Sequence, residues 1–122
     1  MAEQARDLTV VITHGIDHEL SSVALTLARG GITAGMHVSI FLTSAGVDLV
    51  RRRGADMTHV APLDPLRDQI ADFLKRGGVI WSCPPCTKSR GYEQADLIDG
   101  VAIAGGANML KLVAAGGATL CF

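Results

Sequence analysis

Apolar residues in this chain fall into two alternating kinds of run. Leu8–Thr13 (LTVVIT), His37–Leu42 (HVSIFL), Val79–Ser82 (VIWS), Gly100–Ala104 and Ala118–Phe122 are short and mostly apolar at successive positions. Strands of a parallel sheet, covered on both faces, read this way. Between them the period lengthens. Ile16–Ala34 places Leu20, Val23, Ala24, Leu27 and Ala28 on one helical stripe, with Asp17 as the expected cap and Gly30-Gly31 near its end. Pro65–Arg76 does the same with Leu66, Ile70, Phe73 and Leu74, Asp64 being the expected cap and Pro65 suiting the first turn. Shorter helices are predicted over Ala45–Arg53, from the Cys83–Cys86 turn to Arg90, and over Asn108–Ala115, and a weak strand over Met57–Ala61. The alternation predicts a three-layer α/β/α domain with a mostly parallel, five-stranded sheet, occupying residues 1–122 as a single unit.

Composition narrows the function classes. At 122 residues the chain is one domain, and 48% hydrophobic against 19% charged residues supports a real core and excludes disorder as the main state. A net charge of −1 offers no broad electrostatic footprint for nucleic acid, and 4% aromatic content leaves few platforms for stacking bases. The start, MAEQARDLTVVITHG, lacks the pattern of a secretory leader, and no apolar run is long enough for a membrane span. Three cysteines are too few and odd in number for a secreted disulfide scaffold. The expected setting is the reducing cytoplasm, with neither nucleic acid nor membrane as partner.

In a parallel α/β sheet, chemistry sits beyond the carboxyl ends of the strands. The residues expected there include His14, Gly15, Thr43, Ser44, Cys83, Cys86, Gly105 and Gly106. Cys83-Pro84-Pro85-Cys86 is the most informative of these. Cysteine chemistry needs a thiolate, favoured by a helix N-terminus and nearby cations, and Lys88 and Arg90 follow closely. The spacing also permits an internal disulfide. The bland reading is a pair of structural cysteines lining a proline turn. A zinc site would need a second pair or histidines from elsewhere, so no metal is assigned. Cys121, in the apolar LCF segment, is expected in the core, and the Arg51–Arg53 run at a solvated helix end. No dinucleotide fingerprint, P-loop, GxSxG or HExxH occurs, so no cofactor is assigned.

VVITHG, VSIFLTSAGV, PLRDQIADFLKRGGVIWSCPPCTKSRG and the late IAGGA together resemble the DsrE/DsrF-like (YchN-like) family across nearly the whole chain. The resemblance implies a compact DsrEFH-like α/β/α fold that assembles as a trimer, hexamer or related ring. It also implies a sulfur-relay role, with sulfane sulfur accepted as persulfide from a donor protein and passed to an acceptor. By that resemblance Cys83, followed by Arg90-Gly91, is the accepting nucleophile, and Cys86 is an added resolving or second carrying thiol. Lys88 and Arg90 would stabilise negative sulfur, with His14, Gly15, Thr43 and Ser44 lining the site. Two other readings remain open: a dithiol–disulfide oxidoreductase using both cysteines, and a non-enzymatic binding or assembly module.

Overall fold

A computed structural model of the chain describes residues 6–122, so residues 1–5 of the expected domain lie outside the described residues. Five strands, β1 (Asp7–Ile12), β2 (His37–Leu42), β3 (Val79–Ser82), β4 (Val101–Ile103) and β5 (Ala118–Cys121), form one sheet in the order β4-β3-β2-β1-β5. Every pairing is parallel. Four helices, α1 (Glu19–Thr33), α2 (Leu66–Lys75), α3 (Pro84–Ser89) and α4 (Gly106–Ala114), complete an α/β fold.

One face of the sheet carries the core. Leu8, Val10 and Ile12 of β1 share it with Val38, Ile40 and Leu42 of β2 and Ile80 of β3, all buried. They pack with Ala24, Leu25 and Ala28 of α1 and Leu66, Ile70 and Phe73 of α2. Outside this apolar seam Arg29 of α1 donates to Asp72 of α2 at 2.9 Å. That hydrogen bond, reinforced by the nearby guanidinium charges, holds the Asp72 carboxyl below the usual carboxylate range.

The opposite face is covered far less. Gly117, just past α4, lies against Asp7, which points away from the α1 side. Neither α4 nor β5 contains a buried residue. Cys121 is therefore exposed on an edge strand rather than placed in the core, as its apolar neighbours suggested. A groove of about 450 Å³ on this side is lined by His37, Ser39, Val79, Trp81 and Leu112, among others.

Four local expectations change. Pro65, not Asp64, is the cap residue of α2, and no side chain makes a capping bond there. His18, not Asp17, caps α1, its Nδ1 accepting from the Leu20 N–H at 3.1 Å. The segment expected as the helix Ala45–Arg53 is a 3-10 helix over Ser44–Val50, because Arg51 leaves it to bridge Leu97 in antiparallel pairing. Met57–Ala61 forms turns and irregular backbone, and within it the Thr58 carbonyl accepts from Leu66 N–H at the start of α2.

Candidate functional site

Strand register builds the site. Ile12, Leu42 and Ser82 lie side by side at the ends of β1, β2 and β3. The next residues continue the ladder: Thr43 N–H donates to the Ile12 carbonyl at 3.1 Å and Cys83 N–H to the Leu42 carbonyl at 2.8 Å. The loop after β2 thus meets the start of α3 beyond the strand ends, where this architecture concentrates its chemistry.

Cys83 is the N-cap residue of α3, followed by Pro84 and Pro85 in the first turn. Two prolines there fit because those N–H groups lack intrahelical partners anyway. They also remove donors that could have held an anion at the helix start. The turn is fixed from below by buried hydroxyls. Ser82 Oγ and Thr87 Oγ1 lie 2.6 Å apart, and Thr87 donates to the Cys83 carbonyl at 2.6 Å. No motif in the sequence marks either hydroxyl.

The donors for sulfur come from the other strand. Ser44 N–H donates to Cys86 Sγ at 3.2 Å, and Thr43 Oγ1 lies 3.4 Å from the same sulfur. Thr43 precedes the 3-10 helix, yet its hydroxyl makes no capping bond and meets the thiol instead. These two donors, ahead of smaller contributions from the Cys83 side chain and the Arg90 charge, hold the Cys86 thiol below an ordinary cysteine against the opposing effect of burial. Ser44 adopts a left-handed backbone, φ +54°, to present its N–H. For a residue other than glycine such a conformation is uncommon and costs about 1–3 kcal/mol, a kind of strain that concentrates at functional sites.

A second contact set braces this arrangement. Arg90 caps the end of α3, donating to the Cys86 carbonyl at 3.2 Å and lying 3.6 Å from Asp48 in the 3-10 helix. Tyr92 donates its phenol to the same carboxylate at 2.7 Å, which with burial pushes the phenol pKa up. The brace ties α3 to the segment that supplies the sulfur donors. Asp48 and Tyr92, 44 residues apart, carry no motif that would have paired them.

Other expected site residues have different places. Gly15 is buried against Ala45, where a Cβ would come within 3.2 Å of the Ala45 carbonyl oxygen. His14 is half-buried, its ring centroid 4.0 Å from that of His18 and its buried Nδ1 without a hydrogen-bond partner. Lys88 is exposed on α3 and makes no hydrogen bond to either sulfur. Among the described residues no group of three or more His, Cys, Asp or Glu side chains could hold a metal, and no helix is long and apolar enough to cross a membrane. A larger cavity of about 620 Å³, between Leu49, Arg53, Ile70 and Ile98, touches neither thiol of the pair.

The geometry makes a direct prediction. Thr43→Val keeps the shape of the side chain and removes one donor to sulfur. A hydrogen bond to a charged group stabilises it, so the Cys86 pKa should rise when this donor is lost. The pH dependence of its alkylation in a Cys83→Ser background would show the shift; an unmoved midpoint would contradict the role given to Thr43.

Comparisons with known proteins agree with this architecture. The model of the DsrE/DsrF-like family matches residues 6–122. An uncharacterized protein from Methanopyrus kandleri is 33% identical over 98 residues, spanning 80% of this chain and 78% of that one. Another from Methanocaldococcus jannaschii is 29% identical over 97 residues, spanning 79% of this chain and 82% of its own length. Among solved structures, the ychN protein of E. coli superposes with a TM-score of 0.78 at 19% identity, covering 98% of this chain and 100% of that one. A protein of unknown function from Methanobacterium thermoautotrophicum gives a TM-score of 0.72 at 16% identity, again covering 98% and 100%.

Proposed function

Because this chain belongs to the DsrE/DsrF-like family, a sulfur-relay-type family, we propose that it accepts sulfane sulfur as a persulfide and passes it to a partner protein. One observation carries the reading: a thiol at the strand ends, Cys86, is held by the Ser44 N–H and the Thr43 hydroxyl. Thiolate fraction and access govern attack on a persulfide, and these donors favour the thiolate. The family resemblance pointed to Cys83 as the attacking sulfur. The donor geometry favours Cys86, with Cys83 as its neighbour in the pair.

The test is intact-mass spectrometry of reduced protein after exposure to a low-molecular-weight persulfide. In a Cys83→Ser chain the expected result is a gain of one sulfur atom, removable by reductant and mapping to Cys86. A sulfur mapping elsewhere, or none gained, overturns the assignment. The accepting thiolate must be in its reduced form, which suits a cytoplasmic setting.

Assembly into a trimer or hexamer of identical chains belongs to the same proposal. Parallel sheets are normally covered on both faces. Here no residue of α4 or β5 is buried, and Leu110 and Val113 of α4 are 60% and 40% exposed. A second copy of the chain against α4 would cover them. Leu110→Glu is expected to move the species measured by light scattering towards the monomer, and an unchanged mass would remove α4 from the interface.

A further inference from the structure

We infer that the Cys83–Cys86 pair discharges bound sulfur reductively, releasing hydrogen sulfide and closing into a disulfide. The inference rests on the proposed acceptance of sulfur by Cys86 and adds a second fate beside transfer to a partner. A carrier needs one sulfur, and a second thiol beside it is a chemical liability unless it is used. Here the second thiol is built in at close quarters. Cys83 follows β3 directly as the N-cap of α3, and Cys86 lies three residues on in the first turn of the same helix. Their surroundings are unequal. Two donors from the loop after β2 reach Cys86, and neither reaches Cys83. That asymmetry divides the labour into an attacking thiolate and a resolving thiol.

The steps balance. The Cys86 thiolate attacks the outer sulfur of a low-molecular-weight or protein persulfide, R–S–SH. A new Cys86 S–S bond forms, the donor S–S bond breaks and R–S⁻ departs. Cys83 then loses its proton and attacks the inner sulfur of Cys86–S–SH. The Cys83–Cys86 bond forms and the outer sulfur leaves as HS⁻, which takes up that proton as hydrogen sulfide. The two cysteines are oxidised by two electrons and the sulfane sulfur is reduced by two. A dithiol reductant returns the pair to its starting state.

The local structure suits this closure. Pro84 and Pro85 carry no N–H, so tightening the turn that joins the cysteines breaks no backbone hydrogen bond donated by either. Thr43 and Ser44 lie on a different segment from Cys83 and are at hand for the departing hydrosulfide as they are for the thiolate. Both sulfur-bearing residues are half-buried, which leaves the disulfide open to a reducing partner.

A single-turnover experiment tests this with glutathione persulfide as the probe. Fully reduced protein, carrying Cys121→Ser to silence the exposed third thiol, is mixed with the probe; sulfide is measured and intact mass recorded. The expected outcome is one equivalent of sulfide per chain above the Cys83→Ser control, with a loss of two hydrogens mapped to a Cys83–Cys86 cross-link. The Cys83→Ser control should keep one added sulfur on Cys86 and release none. A stable added sulfur on the unsubstituted pair, without excess sulfide, overturns reductive discharge and leaves sulfur acceptance intact. No added sulfur on Cys83→Ser and no excess sulfide from the intact pair would overturn both.

Discussion

Cys86→Ser is expected to abolish sulfur loading near neutral pH, while Cys83→Ser leaves the first transfer in place. The asymmetry follows from the hydrogen bonds, since only the Cys86 sulfur takes the Ser44 N–H and the Thr43 hydroxyl. Donors to a thiolate stabilise the charged form and lower the pKa. The sign therefore predicts the pH profile. Alkylation of Cys86 should show its midpoint below the roughly 8.5 of a free thiol. Reactivity is lost as pH falls through that lowered value, and raising pH above it adds little. Each unit of depression changes the thiolate fraction about tenfold on the acidic side of both values. Cys121 is exposed and must be replaced by serine in every chain compared, or its own alkylation will obscure the profile. If Cys86→Ser still loads sulfur and Cys83→Ser does not, the roles of the two thiols are reversed and the donor geometry does not select the nucleophile.

The elements that local pattern captures are the ones whose burial is set by neighbours in sequence order. β2 and β3 fall at His37–Leu42 and Val79–Ser82, as their apolar runs indicate. Failures occur where a distant partner decides. Arg51 pairs with Leu97, 46 residues on, and takes the end off the expected helix. Cys121 has core-like neighbours, yet β5 is an edge strand, a property of sheet order that no short window contains.

The site divides in the same way. The cysteine spacing and the hydroxyls after β2 were legible as separate features. Their meeting depends on β2 and β3 being adjacent and in a register that sets Leu42 beside Ser82. Helix-terminal and Lys88 stabilisation of sulfur was a reasonable local expectation, but the prolines carry no donors and Lys88 makes no bond to the thiols. One of the two donors, the Ser44 N–H, comes from a residue in left-handed backbone, a conformation that composition gave no reason to expect at a serine.

Gly46→Ala should cause the largest loss that can be produced without touching either thiol. Gly46 is buried in the 3-10 helix that begins at Ser44, and its N–H donates to the Thr43 carbonyl at 3.0 Å. A Cβ there would overlap the Ile12 carbonyl oxygen at the end of β1. That oxygen already receives the Thr43 N–H, so it cannot retreat without disturbing the β1–β2 ladder. The 3-10 helix must shift instead, taking the Ser44 N–H away from Cys86. Overpacking of this kind costs about 1–3 kcal/mol. The substitution should thus lower the denaturation midpoint and raise the Cys86 alkylation midpoint together. Gly30→Ala provides the contrast, because its Cβ meets nothing within 4 Å and the residue lies within α1. Removing glycine from such a position should stabilise the protein by about 0.5–1 kcal/mol and leave the thiol unmoved. Loss of stability in Gly46→Ala without a rise in the alkylation midpoint would show that the sulfur donors are held by the Asp48, Tyr92 and Arg90 brace alone.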